Sequence, residues 1–109
     1  MINISLIYKG YKKRYNMQFE HVKGENKGDI MLYGLTTCVW CKKTKMLLDK
    51  IGCDYKYIYV DQLNQSDKDN ILKEIKKWNP RSSFPTLIIN DKKCIVGFKE
   101  DKIREALNL

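Results

Sequence analysis

Two cysteines, Cys38 and Cys41, are separated by two residues in the stretch LTTCVWCKKTKMLL. A thiol pair at this spacing can bind a metal, form a structural disulfide, or form and break a disulfide during a reaction. A cysteine pair without an export signal is more often catalytic or metal-binding than structural, because cytoplasmic thiols are kept reduced. The function of the chain depends on which of these roles the pair has.

The metal-binding interpretation needs more ligands than the pair supplies. A closed zinc site takes four, and the other soft or imidazole ligands are His21, Cys53 and Cys94, which form no second close pair. A metal or iron–sulfur carrier therefore stays the alternative, and we expect no metal bound by this chain alone.

The residues after Cys41 predict a helix that begins at the pair. Apolar and small residues recur there at helical spacing, at Thr44, Leu47, Leu48 and Ile51. Positions three apart on a helix have Cβ atoms about 5–6 Å apart, whereas a disulfide joins Cβ atoms about 3.5–4.5 Å apart. A small adjustment of the first turn therefore lets the pair open or close.

The two sulfurs are predicted to differ in reactivity. The unpaired N–H groups and the positive dipole end of the helix favour a thiolate on Cys38, as do Lys42 and Lys43 nearby. Cys41 lies further inside the helix and is suited to attack a mixed disulfide on Cys38. This pattern favours dithiol redox chemistry, with Cys38 as nucleophile and Cys41 as resolving cysteine.

The elements around the pair predict an α/β domain. Residues 30–35 (IMLYGL) are typical of a buried strand before the helix, and residues 55–60 (YKYIYV) are typical of a second strand after it in the chain. A second helix is predicted after Ser66 as N-cap, and residues 86–89 and 94–96 predict a hairpin. A last helix follows Gly97. The order β-α-β-α-β-β-α predicts a four-stranded mixed sheet flanked by helices.

The first 28 residues are less regular and are treated as an N-terminal extension, with the main domain at residues 29–109. Alternating apolar residues around Gly10 are compatible with an extra hairpin or with a flexible arm. Residues 8–15 (YKGYKKRY) mix basic and aromatic residues, so a binding module with a basic N-terminal arm is a second alternative.

The bulk composition suits one cytoplasmic domain of 109 residues. No apolar run is long enough to span a membrane, and we expect no secretory signal. The formal net charge is +8, but the lysines are spread along the chain, so we do not expect nucleic acid as the partner. We expect a monomer.

From residue 29 to residue 107 the chain resembles the glutaredoxin family of the thioredoxin-like superfamily. The resemblance rests on TTCVWC, on Phe84-Pro85-Thr86 before a strand, and on Gly97-Phe98 before the last helix. It implies a thioredoxin-like fold, and a cis peptide bond before Pro85 whose neighbouring backbone docks a substrate chain. It also implies substrate contacts at a few other positions: Thr37, Trp40, Phe84, Gly97 and Phe98.

Within that family, the segment GFKEDKI at residues 97–103 is similar to the Gly-Phe-Arg-Pro-Asp-Lys-Ile type found in small redoxins that serve ribonucleotide reductase. Lys99 and Glu100 depart from that type. Glutathione-using members often have a lysine where Leu35 stands and a second glycine where Phe98 stands, although Trp40 matches their aromatic residue.

The resemblance therefore implies a protein-disulfide reductase with no bound cofactor. Its reductant is external, either a disulfide reductase or glutathione, and its substrate is a disulfide-containing protein, with ribonucleotide reductase as one candidate. The bulk of Phe98 is expected to weaken glutathione binding.

Overall fold

Five strands and three α-helices make up most of residues 19–109, the part of the chain that the computed structural model describes. In chain order the elements are β1 (Glu20–Val22), β2 (Ile30–Gly34), α1 (Val39–Ile51), β3 (Tyr55–Tyr59), a 3₁₀ helix (Val60–Gln62), α2 (Gln65–Trp78), β4 (Thr86–Ile89), β5 (Lys93–Val96) and α3 (Glu100–Ala106). The order from β2 onward is the predicted one, and the thioredoxin-like α/β fold is confirmed.

The sheet is mixed, with the strand order β1-β3-β2-β4-β5. β2 and β3 are parallel and are connected through α1, as a β-α-β crossover requires. β4 lies antiparallel on the other side of β2, and the β4–β5 hairpin completes that edge. Because β2 is the central strand, the loop that follows it, and with it Cys38, lies in the middle of one end of the sheet.

The predicted count of four strands is wrong for the described residues, because β1 adds a fifth. It pairs antiparallel with β3, with Val22 opposite Tyr55. β1 has only three residues, with exposed side chains at Glu20 and His21, so it lacks the apolar alternation that identifies a strand in sequence. Part of the predicted extension thus belongs to the sheet.

A hydrogen-bonded carboxylate attaches the β1 segment to the start of β3. Asp54 accepts hydrogen bonds from the His21 ring at 2.9 Å and from the Gly24 N–H at 3.0 Å. These bonds lower the pKa of the Asp54 carboxyl, and the bond from His21 has the largest effect. These polar contacts, formed across 33 residues of chain, add to the pairing of β1 with β3.

The apolar residues form a core on each face of the sheet. Side chains alternate along β2 and β4, so Leu32 and Leu87 face α1 and α3 whereas Tyr33 and Ile88 face α2. Leu48 and Ile103 are fully buried in the first core, with 0% of each exposed. Ile71 and Ile75 are buried in the second core, with 1% and 0% exposed. The first core holds α1 against the sheet, which positions the start of α1.

The helix ends differ from prediction at one place. Gly52 ends α1 with φ +79°, a left-handed conformation that favours glycine, as expected from its position. α2, however, begins after Asn64, whose side chain accepts a hydrogen bond from the Asp67 N–H at 2.8 Å, and not after Ser66. Asparagine and serine both cap helices well, so local sequence did not distinguish them.

Some predictions concern residues 1–18 and lie outside the described part. These are the hairpin around Gly10 and the basic, aromatic segment at residues 8–15. Within residues 19–109, no helix is both long and apolar enough to cross a membrane.

Candidate active site

Cys38 is the N-cap residue of α1, and its sulfur is part of the cap. The sulfur accepts a hydrogen bond from the Cys41 N–H at 3.1 Å, while the Cys38 carbonyl accepts one from the Lys42 N–H at 3.2 Å. The predicted placement of the pair at the helix start is confirmed. A sulfur in this position receives one of the otherwise unpaired N–H groups of the helix and lies at its positive end, which favours a thiolate after reduction.

The two cysteines are joined in a disulfide, with Cα atoms 5.2 Å apart. Cys38 is partly exposed, whereas Cys41 is 2% exposed. The outer sulfur is thus accessible to a substrate, and the inner one is accessible chiefly to Cys38. This asymmetry is the one expected of a nucleophile and a resolving cysteine.

Gly34, at the end of β2, makes room for the inner cysteine. A Cβ at this position would lie 3.2 Å from the Cys41 Cβ and 3.3 Å from its Sγ. Such distances are tighter than ordinary van der Waals contact, so any larger residue would push Cys41 away from the sheet. Gly34 was not among the predicted site residues, although a glycine inside an apolar strand often marks a close backbone approach.

The loop between β2 and Cys38 is held by a carboxylate from the 3₁₀ helix. Asp61 accepts a hydrogen bond from the Thr36 N–H at 3.0 Å and a short one from the Thr36 hydroxyl. Thr37, next to it, is exposed beside Cys38. Asp61 was missed in the sequence because its partner lies 25 residues away and no local pattern marks the pair.

We expect Asp61 to stabilise the protein in a pH-dependent way. Burial by itself would raise the pKa of its carboxyl, but the hydrogen bonds from Thr36 outweigh burial and lower it below its usual value of 3.8. Stability from a lowered carboxyl pKa is present above 3.8 and is lost as pH falls through the folded value. Asp61→Asn should therefore lower the unfolding free energy at pH 6 by less than about 1 kcal/mol, since the group is exposed.

The measurement is urea unfolding of both proteins between pH 2 and pH 7. The difference between wild type and Asp61→Asn should shrink toward the acid end. Asp91→Asn, in the exposed β4–β5 turn, is the control. A difference between wild type and Asp61→Asn that stays constant down to pH 2 would contradict this role for the carboxylate.

The peptide bond between Phe84 and Pro85 is cis, as the family resemblance implied. Pro85 precedes β4, and the pairing of Tyr33 with Thr86 places it beside the end of β2, from which the chain continues to Cys38. The Pro85 carbonyl accepts a hydrogen bond from the Gly97 N–H at 2.9 Å. Sheet register therefore brings Pro85 and Gly97 to the end of the sheet where the dithiol lies.

A buried amide holds the turn that leads to Pro85. Asn79 is 4% exposed, and its Nδ2 donates to the Ser83 carbonyl at 3.0 Å and to the Thr86 hydroxyl at 3.0 Å. Its Oδ1 accepts from the Arg81 N–H at 3.2 Å. A buried polar group with this many partners fixes a loop conformation, because leaving any of them unpaired is unfavourable.

Trp40 and Phe98 connect the dithiol helix to the loop before α3. Their rings are stacked, with centroids 6.1 Å apart and an angle of 18° between planes. Trp40 is 56% exposed, and the Lys43 ammonium lies 5.7 Å from the centroid of its ring. The Lys43 ammonium therefore lies at the face of the tryptophan ring, and its effect on Cys38 stays a prediction.

The predicted site residues therefore gather at one end of the molecule. Thr37 and Trp40 are neighbours of the two cysteines in the chain. Gly97 is brought to the same end by its hydrogen bond to Pro85, and Phe98 by stacking on Trp40. Phe84 lies next to Pro85 and is partly buried against the α2 core.

The remaining cysteines lie apart from this end. Cys53 is buried in the connection between α1 and β3, and Cys94 is half-buried on β5. Burial raises the pKa of both thiols, which makes them poor nucleophiles. Among residues 19–109, no group of three or more histidine, cysteine, aspartate or glutamate residues could hold a metal ion.

A dithiol at the start of the first crossover helix, beside a cis-proline loop on a thioredoxin-like sheet, defines the class of thiol–disulfide oxidoreductases. Residues 30–95 match the family model for glutaredoxin. The chain belongs to the glutaredoxin family.

Two similar proteins of known structure come from Methanosarcina species. The glutaredoxin from Methanosarcina mazei Go1 is 50% identical, with a TM-score of 0.79 over 85% of this chain and 90% of that one. Methanoredoxin from Methanosarcina acetivorans is 55% identical, with a TM-score of 0.77 over 79% of this chain and 90% of that one.

The curated relatives match over a shorter stretch. Glutaredoxin 1 of Rickettsia prowazekii is 39% identical over 62 residues, 57% of this chain and 62% of that protein. The chain thus spans about three fifths of the length of the first curated relatives, 62% and 60%. The predicted likeness to small redoxins is supported by the glutaredoxin-like NrdH-redoxin of Escherichia coli, which is 25% identical with a TM-score of 0.59 over 71% of this chain and 92% of that one.

Proposed function

We propose that this chain reduces disulfides of other proteins by thiol–disulfide exchange, with Cys38 as nucleophile and Cys41 as resolving cysteine. The observation that carries the proposal is the difference between the two sulfurs. The Cys38 sulfur is partly exposed and caps α1, whereas Cys41 is buried within bonding reach of it.

The reaction has two exchanges. The Cys38 thiolate attacks a substrate disulfide, forms a mixed disulfide and releases the first substrate thiolate. Cys41 then loses its proton and attacks the Cys38 sulfur, which releases the second substrate thiolate and forms the Cys38–Cys41 disulfide. The substrate gains two electrons, and an external thiol donor returns the chain to the dithiol form.

The residues around the dithiol would bind the substrate chain. The backbone next to Pro85 would pair with the segment that carries the disulfide. The side chains of Thr37, Trp40 and Phe84 and the Gly97–Phe98 loop would contact its flanking residues. Trp40 offers an exposed aromatic surface for this purpose. The similarity of residues 97–103 to small redoxins makes ribonucleotide reductase one candidate target. We expect the chain to act as a monomer in a reducing cytoplasm.

The test is the reduction of insulin by the pre-reduced protein. We expect one insulin disulfide to be reduced per dithiol, with the loss of two protein thiols and the formation of the Cys38–Cys41 disulfide, both measured by mass spectrometry after alkylation. A reduced protein that leaves insulin intact while keeping both thiols would contradict the proposal.

The site favours a disulfide reductase over glutathione as the electron donor. The ring of Phe98 stacks on Trp40 beside the dithiol and adds bulk where a smaller residue would leave more room for a tripeptide. Phe98→Gly should therefore raise the rate at which glutathione reduces the oxidised protein by about tenfold, the equivalent of about 1.4 kcal/mol.

Phe98→Leu distinguishes the effect of side-chain size on this rate from the effect of stacking on Trp40, because leucine is a large side chain without a ring. We expect its rate with glutathione to stay near that of the wild type. The measurement follows tryptophan fluorescence of the oxidised protein, first with glutathione and then with an NADPH-dependent disulfide reductase. A wild-type protein that glutathione reduces faster than the reductase does would show that the stacked pair is no barrier.

A further inference from the structure

In the second exchange, Cys41 is the attacking residue. Its thiol must lose a proton before it can attack, yet burial opposes the formation of a thiolate. The helix terminus stabilises a thiolate on Cys38, and the backbone N–H of Cys41 already donates its hydrogen bond to the Cys38 sulfur. Cys41 therefore needs a different source of positive charge.

A cavity on the inner side of Cys41 is lined by both Cys41 and Lys45. It lies between α1 and the strands β2 and β3, and its lining is Leu32, Gly34, Cys41, Lys45, Tyr57, Ile58 and Tyr59. Among these described residues, Lys45 is the only one with an amine or a carboxylate. It follows Cys41 by four positions on α1, so both side chains extend from the same face of the helix.

Lys45 is held in this position by three contacts. Its ammonium lies 4.8 Å from the centroid of the Tyr57 ring and 6.0 Å from that of Tyr55, and it forms an ion pair with Asp49 at 3.3 Å. The side chain is only 26% exposed, whereas Lys42 and Lys43, next to the pair in sequence, are exposed. A partly buried ammonium is screened less by water and acts more strongly on a neighbouring thiolate.

We propose that the Lys45 ammonium stabilises the thiolate of Cys41 while it attacks the mixed disulfide on Cys38. This inference rests on the proposed disulfide-reductase function. Lys45 takes no part in bond formation: the proton of Cys41 passes to water, the electron pair of the Cys41 sulfur forms the new S–S bond, and the substrate sulfur leaves as a thiolate with the electrons of the old bond. Asp49 opposes the effect, because its carboxylate neutralises part of the Lys45 charge. The phenols of Tyr57 and Tyr59 are the other titratable groups around the cavity, and β2 contributes none there.

A two-phase reaction separates this role from the first exchange. When reduced protein is mixed with a substoichiometric amount of 5,5′-dithiobis(2-nitrobenzoate), Cys38 releases one coloured thiolate and Cys41 then releases the second. The second phase is intramolecular, so its rate is independent of protein concentration. Stopped-flow absorbance between pH 6 and pH 9.5 gives the rate and the pH midpoint of each phase.

Lys45→Met keeps an aliphatic chain against Tyr57 and removes the charge. We expect the second phase at pH 7 to slow by about three- to tenfold, because the smaller thiolate fraction outweighs the greater nucleophilicity of a more basic thiolate. The rise of the second-phase rate with pH should move to higher pH in Lys45→Met, and the first phase should not change. Lys45→Arg should retain the wild-type second phase, and Asp49→Asn should speed it at pH 7.

Lys50→Met, which removes an exposed lysine from the last turn of α1, is the matched control and should leave both phases unchanged. A second phase in Lys45→Met that equals that of the wild type at every pH would overturn the inference while leaving the reductase function intact. A slowed second phase in Lys45→Met without a faster second phase in Asp49→Asn would also overturn it, since that combination indicates altered packing. Loss of the first phase in the wild-type protein would instead refute the proposed function. If Lys45→Met does not fold, the opposite shift expected of Asp49→Asn still decides the question.

Discussion

Cys38→Ser is expected to abolish the reduction of insulin, with a rate at least about a thousandfold below that of the wild type. A serine hydroxyl stays protonated near neutral pH and forms no disulfide, so the first exchange cannot begin. The loss should not come from unfolding, because the side chain at position 38 is partly exposed and serine is itself a good N-cap residue. The measurement is insulin turbidity with dithiothreitol as electron donor, together with a thermal melt of the reduced variant.

Cys94→Ser is the matched control for Cys38→Ser. It also removes one partly exposed sulfur, but from the edge strand β5, away from the dithiol. We expect it to reduce insulin at close to the wild-type rate. Normal turnover by Cys38→Ser, or loss of turnover in Cys94→Ser alone, would show that the nucleophile has been assigned wrongly.

Cys41→Ser is expected to have the opposite phenotype: it should react once and then stay attached to its substrate. The Cys38 thiolate still forms the mixed disulfide, because its cap contact comes from the backbone N–H of residue 41, which serine keeps. Without a second sulfur, release depends on an outside thiol. We expect most of the protein to remain as a covalent complex for minutes after mixing with oxidised substrate, where the wild type shows almost none.

Intact-mass spectrometry under non-reducing conditions measures this complex, and dithiothreitol should dissociate it. The double variant Cys38→Ser, Cys41→Ser should form none, which excludes attachment through Cys53 or Cys94. If Cys41→Ser released its substrate as fast as the wild type, the buried sulfur would have no part in resolution. The same trapped complex would identify the physiological target by mass spectrometry of the attached protein.

Local patterns in the sequence were sufficient for most of the elements and for the position of the dithiol at the start of a helix. The helical repeat after Cys41 and the short apolar runs on both sides of it determine a crossover helix that begins at the cysteines. Because the environment of Cys38 comes from the end of its own helix, its distinction from Cys41 was also readable from spacing. Interactions within one helical turn depend on neighbours in the chain, which is why the sequence alone determined them.

Contacts between distant segments were decided only by the tertiary structure. The placement of Pro85 beside the dithiol followed from family resemblance and not from spacing, since it depends on the register of β4 against β2. The attachment of β1 through Asp54, and of the Thr36 loop through Asp61, joins residues that no local pattern relates.

The surroundings of Cys41 combine features that the sequence predicts with features that only the tertiary structure decides. Its position in the helix was predictable, but the room left by Gly34 and the ring of Tyr57 beneath Lys45 come from strands β2 and β3. Helix spacing determines which side chains share a face. Only the packing of that face against the sheet determines which charges and rings they meet, because those groups come from residues far away in the chain.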